Sequence, residues 1–253
     1  MDLTGRVAVV VGGTSGLGRT IALGLARAGA DVVPSGRRSR LVEEVCAEIE
    51  TLGRKTLRHT VDVGNRKSID AWRDLVRQHL GHVDILVNAA GRTARRPTVD
   101  APEKEWNAIL DTNLTGMLRA CQSFYGLLHE SGRGRIINIA SLASFVAFHE
   151  VAAYGVSKAG VMALTRNLGC EWALSSINVN AIAPGVFRTS LNQSLLDDTE
   201  RGRELLMRTP MRRFGFPDEL IGATVFLASD AASFITGQTV VIDGGFLTSG
   251  VNS

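Results

Sequence analysis

Two residues able to move a proton stand four apart in this chain, Tyr154 and Lys158. On a helix that spacing places both on one face, about one turn from each other. A free phenol has a pKa of about 10, too high for a proton-transfer catalyst near neutral pH. A nearby lysine cation favours the phenolate and draws that value down. The pair therefore predicts a general acid/base. Its plain alternative is a helix with one half-buried aromatic and one solvated lysine, and the spacing alone does not choose between them.

A second signal lies near the amino-terminal end. Gly12-Gly13-Thr14-Ser15-Gly16-Leu17-Gly18 follows an apolar run over 7–11 and precedes a helical pattern over 21–28. Glycines between a buried strand and a helix allow a tight turn and close backbone approach to a phosphate. The helix N-terminus adds amides and a positive dipole end. The alternative is a turn used only for packing. The spacing G-x-x-x-G-x-G differs from the commoner G-x-G-x-x-G.

The elements that must position these residues alternate from end to end. Strand patterns cover 7–11, 31–34, 56–63, 83–88, 135–140, 177–183 and 239–242. Helical patterns cover 21–28, 41–52, 68–80, 103–129, 154–174 and 217–228. This alternation predicts an α/β fold: a single doubly wound Rossmann-type domain over 1–253, with an about seven-stranded parallel sheet and helices on both faces. Residues 187–213 are polar and charged without a clear period, and are expected to form a substrate loop or lid.

Composition narrows the classes. Hydrophobic residues make up 45% and charged residues 21%, as in ordinary globular proteins. The net charge of +3 is spread along the chain, which argues against a nucleic-acid partner. Cys46, Cys121 and Cys170 form no close-spaced pair, against both a disulfide framework and a zinc site. No apolar run reaches the ~20 residues a membrane span needs. Residues 1–5 run straight into a strand, so no signal peptide is expected. The expectation is a cytoplasmic protein with no metal, no nucleic acid and no membrane partner.

With Tyr154 and Lys158, the glycine spacing resembles the short-chain dehydrogenases/reductases, over essentially the whole chain. Gly12, Gly16 and Gly18 match the family's cofactor turn, with Val11 where the family usually has threonine. Asp62 and Val63 match the adenine-contacting position. Asn88-Ala89-Ala90-Gly91 matches the loop after the fourth strand, with Ala89 replacing a second asparagine. Asn113 matches the structural and catalytic asparagine. Ser141 matches the catalytic serine, 13 residues before Tyr154. Pro184-Gly185-Val186 and then Thr189 match the segment that holds the nicotinamide. Gly237-Gln238 and Asp243-Gly244-Gly245 match the carboxy-terminal signature.

The resemblance implies an oxidoreductase that interconverts a secondary alcohol and a ketone of a small molecule by hydride transfer. Tyr154 would be its general acid/base. Lys158 would lower the Tyr154 pKa and hold the nicotinamide ribose hydroxyls. Ser141 would hydrogen-bond the substrate oxygen, and Asn113 would hold a water linking Lys158 to solvent. Thr14, Ser15 and Leu17 would join the glycines at the cofactor. A homotetramer is implied, with interfaces on 103–129, 154–174 and the last strand.

An acidic residue at the end of the second strand would select NAD through the ribose hydroxyls. Here that position is Gly36, Asp31 sits too early, and Arg37 and Arg38 follow, where a guanidinium pairs with a 2′-phosphate. The expected cofactor is NADP, with NAD as the alternative. For the substrate, the candidates beside Ser141 are Arg95, Arg96 and His149, since arginine suits a carboxylate or polyhydroxylated ligand. Arg95-Arg96-Pro97 and Arg212-Arg213-Phe214-Gly215 are similar to sugar-acid dehydrogenases of the gluconate 5-dehydrogenase kind. A 3-oxoacyl thioester reductase is the alternative. A catalytically silent dinucleotide-binding sensor is the rival from another class, and intact Ser141, Tyr154 and Lys158 weigh against it.

Overall fold

Strand β1 (Val7–Val11) is buried along its whole length, and its side chains divide between two cores. Val7, Val9 and Val11 enter one apolar cluster; Ala8 and Val10 enter the other. Such alternation, apolar on both faces, is the signature of a strand covered on both sides. The computed structural model describes residues 1–189 and 192–251, apart from the side chains of 194 and 195.

From β1 the chain continues through α1 (Gly16–Arg27), β2 (Asp31–Ser35), α2 (Ser39–Thr51), α3 (Arg66–Leu80) and β3 (Ile85–Asn88). It then forms α4 (Glu103–Leu110), α5 (Gly116–Glu130), β4 (Gly134–Ile139), α6 (Ala152–Glu171) and β5 (Ile177–Pro184). The short α7 (Gln193–Leu196), α8 (Glu200–Arg208), α9 (Ile221–Ala228) and β6 (Thr239–Ile242) complete it. The six strands run in the order β2-β1-β3-β4-β5-β6, and every pairing is parallel.

Helices α3, α5 and α6 cover one face, where Trp72 meets Phe124 edge-on at 5.2 Å. Helices α1, α2 and α9 cover the other through Ile21, Leu25, Val45, Ile49, Val225 and Leu227. The strand order reverses between β1 and β3, so a crevice opens at their carboxyl ends, where doubly wound sheets bind ligands.

Two expectations change. The strand expected over 56–63 is not a ladder. It touches β2 through an isolated bridge between Gly36 and Thr60, with Val32 N–H donating to the Lys55 carbonyl at 3.0 Å and Val61 N–H to the Gly36 carbonyl at 3.0 Å. Residues 32, 34 and 36 present the same edge, and Pro34 has no N–H to give there. A seventh strand is thus reduced to two contacts around a proline. The helix expected over 103–129 is interrupted by one π-helical turn, Asp111–Thr115, between α4 and α5. Such turns are rare and concentrate at functional sites.

Candidate active site

The turn after β1 leads directly into α1. Gly12 has φ +78°, and a Cβ there would fall 2.6 Å from the Ala90 backbone, so the two loops at the reversal point touch. Ser15 stands at the N-cap of α1 without a side-chain cap, which leaves the first amides of a 12-residue helix free for an anion. A cleft of about 990 Å³ begins there and runs across the carboxyl ends of β1, β3, β4 and β5.

Most residues expected at the cofactor line this cleft. They are Gly12, Thr14, Ser15, Gly16, Leu17 and Gly18 on the first turn, and Arg37 and Arg38 after β2. Asp62 and Val63, Ala89, Ala90 and Gly91, and Pro184, Gly185, Val186 and Thr189 continue the wall. Asn88 is different. It is buried under the floor, where its Nδ2 donates to Asn138 Oδ1 at 2.9 Å and reaches Cys121 Sγ at 3.3 Å. Its role here is to tie β3 to β4.

The adenosine end fits a 2′-phosphate. Arg38 Nη2 lies 3.3 Å from Ser15 Oγ, so a guanidinium reaches the glycine turn from outside it. Gly36 packs on Thr14: a Cβ at 36 would overlap the Thr14 hydroxyl and lie 3.2 Å from its Cγ2. Thr14 thus occupies space that an acidic side chain at 36 would need. Asp31 is spent at the opposite end of β2, accepting the Lys55 N–H at 2.8 Å.

Ser141 follows β4 and caps a short 3₁₀ turn, accepting the Ala143 N–H at 3.1 Å. Tyr154 and Lys158 lie on α6, and Ser144 Oγ donates to the Lys158 carbonyl at 2.8 Å, fastening the turn to the helix. Lys158 is buried, and its Nζ donates to the Ile139 carbonyl at 2.6 Å and sits 5.8 Å from the centre of the Tyr154 ring. Asn113, in the π-turn, is fully buried. Its Oδ1 accepts the Arg92 N–H at 2.8 Å; its Nδ2 donates to the Arg92 carbonyl and to Ser157 Oγ, both at 2.9 Å. The side chain therefore clasps the loop after β3 to α6, with both Nδ2 hydrogens used and one acceptor site of Oδ1 still open.

The electrostatics reverse one expectation. Desolvation pushes the Tyr154 phenol above its ordinary pKa, and the Ser141 hydroxyl draws it part of the way back. Desolvation also pushes Lys158 down, to about 8. The lysine faces the ring and a backbone carbonyl rather than an anion, so burial outweighs the attraction expected between cation and phenolate.

The substrate candidates are mostly spent elsewhere. Arg95 pairs with Glu150 at 2.8 Å and Arg96 with Glu105 at 3.2 Å, while Glu150 also accepts the Arg96 N–H through its carbonyl. His149 is exposed and borders a second cavity behind the cleft. Ser141 alone of the four lines the cleft. Two cleft arginines were not singled out from sequence, Arg92 and Arg201. The first was adjacent to the recognised loop and so within reach of sequence reasoning; the second lay in the patternless region.

Fold and cleft define a doubly wound dinucleotide-binding protein with a serine, a tyrosine and a lysine gathered at the far end from its phosphate turn. The family model described as enoyl-(acyl carrier protein) reductase matches residues 11–247. The chain is 41% identical to a 2-dehydro-3-deoxy-D-gluconate 5-dehydrogenase of Escherichia coli K12, over 97% of both proteins. It is 35% identical to a gluconate 5-dehydrogenase of Gluconobacter oxydans, covering 98% of this chain and 97% of the relative. A gluconate 5-dehydrogenase from Burkholderia cenocepacia, solved with NADP and tartrate, superposes with a TM-score of 0.94 at 36% identity, covering 98% of this chain and 97% of that one. The chain belongs to the short-chain dehydrogenase/reductase family.

Two outcomes are expected from these contacts. Because folding disfavours the Lys158 cation, its penalty is fully present below about pH 8 and disappears as pH rises to the ordinary 10.5. At about 1.4 kcal/mol for each factor of ten, Lys158→Met should stabilise the protein by about 3 kcal/mol at pH 7. The gain should shrink toward pH 10.5 in denaturant titrations, and a pH-independent difference would contradict the assignment. For the cofactor, Gly36→Asp alone should weaken NADPH without gaining NADH, while Thr14→Ala with Gly36→Asp should tighten NADH about 10-fold in fluorescence titrations. Equal NADH affinity in the single and double variants would show that Thr14 is no obstacle.

Proposed function

We propose that this protein is an NADP(H)-linked oxidoreductase that interconverts a secondary alcohol and a ketone on a sugar acid. The observation that carries this reading is the convergence of Ser141, Tyr154 and Lys158 at one end of a cleft whose other end is the uncapped α1 turn with Arg37 and Arg38. The sugar-acid part is supported by relatives named for gluconate and its dehydro derivatives, and NADP by solved relatives that hold it.

The residues present suit a nicotinamide dinucleotide. The first turn of α1 would hold its pyrophosphate, Arg37 and Arg38 its 2′-phosphate, and Lys158 with the 184–189 segment its nicotinamide riboside. When bound, the nicotinamide supplies the hydride in reduction and accepts it in oxidation. Tyr154 gives its phenolic proton to the carbonyl oxygen in reduction and takes the alcohol proton in oxidation. Its raised pKa keeps it protonated at neutral pH, the form that reduction needs. Ser141 donates to the same oxygen and stabilises the charge that develops on it. Lys158, cationic below about pH 8, offsets charge left on the phenolate. Asn113 keeps the Arg92 loop and α6 in register, so that Ser141 and Tyr154 face one oxygen.

A homotetramer fits the same reading. Val156 on α6, Leu174 just beyond it and Val241 on the edge strand β6 are exposed apolar residues on the elements expected at its interfaces. Light scattering should give four chain masses; a monomer would refute it.

The activity test is oxidation of D-gluconate and 2-dehydro-3-deoxy-D-gluconate with NADP⁺, and reduction of keto-acids with NADPH. Tyr154→Phe should lower kcat by about 10²- to 10⁴-fold with NADPH affinity kept. Full activity of Tyr154→Phe would overturn the mechanism. Turnover of acetoacetyl thioesters with none of the sugar acids would overturn the substrate class.

A further inference from the structure

The substrate end of the cleft is mostly apolar. Leu142, Leu196 and Leu205 form a third cluster there, with Phe148 and Val186 packed on it. Two arginines line the cleft away from its adenosine end, Arg92 from the loop after β3 and Arg201 from the first turn of α8. The other arginines around this rim that face an acid are already matched: Arg95 to Glu150, Arg96 to Glu105, Arg188 to Asp197, Arg208 to Glu204 and Arg213 to Glu219.

Arg201 differs from them in three ways. It is half-buried, and it has no ion pair or side-chain hydrogen bond among the described residues. It stands on the wall shared by the cleft and the second cavity, of about 620 Å³. It also opposes its own helix. Thr199 caps α8 by accepting the Gly202 N–H at 2.9 Å, and Glu200 supplies the acid that suits a helix N-terminus. A cation in that first turn faces the positive end of the helix dipole. Neither local helix energetics nor a protein partner accounts for a half-buried arginine at this point. An anion in the cleft would account for both.

A six-carbon acid that reacts at its fifth carbon carries its carboxylate four carbon–carbon bonds away, about 5 Å in the extended form. Its carboxylate then lies outside the Ser141–Tyr154 pair, toward the apolar lobe. Arg37 and Arg38 are at the opposite end, and Lys158 is committed to the Ile139 carbonyl. We propose that Arg201 is the residue that recognises the substrate carboxylate, with Arg92 as a second cation across the mouth. This rests on the sugar-acid reading. It makes α8 a specificity element, since the charge that selects an acid over a neutral polyol is carried on it.

The test compares Arg201→Gln, Arg201→Lys and Arg203→Gln in the full-length protein. Arg203 lies on the same helix and does not line the cleft. Arg201→Gln should raise KM for D-gluconate or 2-dehydro-3-deoxy-D-gluconate by about 10- to 100-fold, with kcat changed little. Arg201→Lys should fall between, because it keeps the charge and loses the bidentate fork. Arg203→Gln should match the parent protein. A direct reading comes from calorimetric titration of D-gluconate into the NADPH complex, where no turnover occurs, and Arg201→Gln should weaken that binding by the same factor. Unchanged D-gluconate affinity in Arg201→Gln would overturn the proposal. So would a parallel fall in NADPH affinity or thermal stability, which would mark a structural role. Parent protein that turns over only oxoacyl thioesters would remove the sugar-acid reading itself, and this proposal with it. Sugar-acid turnover with Arg201→Gln unaffected would remove only the proposal.

Discussion

The site depends on a parallel sheet whose strand order reverses between β1 and β3. Parallel strands deliver all their carboxyl ends to one edge, and the reversal splits the helices that follow so that a crevice opens there. The turn after β1, the loop after β3 and Ser141 after β4 meet at that crevice because their strands are neighbours. Asn113 then fixes what the sheet cannot. It holds the backbone of Arg92 and the hydroxyl of Ser157 at once, joining three segments far apart in sequence. A π-turn aims an asparagine from the α4–α5 rod at both partners, which explains why the rod is interrupted there.

Burial sets the chemistry around Tyr154. The cation of Lys158 is desolvated and answered by one backbone carbonyl and the face of an aromatic ring. That arrangement costs stability, and such costs concentrate where a group must act. It also orders the two proton carriers. The phenol stays protonated while the lysine loses its charge at a lower pH than usual. In the proposed mechanism the protonated phenol is the form that reduction uses, and the lysine's hold on a developing phenolate would weaken above about pH 8.

Arginines divide the cleft by function. At the adenosine end, Arg38 reaches Ser15 on the glycine turn. Gly36 and Thr14 are matched in shape, so a side chain at 36 meets Thr14. At the substrate end, Glu105 and Glu150 withdraw Arg96 and Arg95 into the rim, and the open cations come from Arg92 and from α8. One fold thus carries arginines at both ends of its cleft.

Much of this protein was legible in its residues. Strand and helix order followed from periodicity, the glycine turn and the Tyr154–Lys158 pair followed from local spacing, and Ser141 followed from the family resemblance. Pro34 was also visible, and its missing N–H explains the lost seventh strand. Other features were decided only by the tertiary fold. Glu150 lies 55 residues from Arg95, so no spacing rule could tell that this arginine is paired while Arg201 has no ion pair among the described residues. Asn88 faces downward because Asn138 and Cys121 come from other elements. The direction of the Tyr154 and Lys158 shifts depends on how much water packing removes, and desolvation belongs to the assembled molecule, not to any stretch of chain. The sequence determined which groups carry the chemistry; the fold determined which of them are free to meet a substrate, because pairing and burial are contacts between distant parts of the chain.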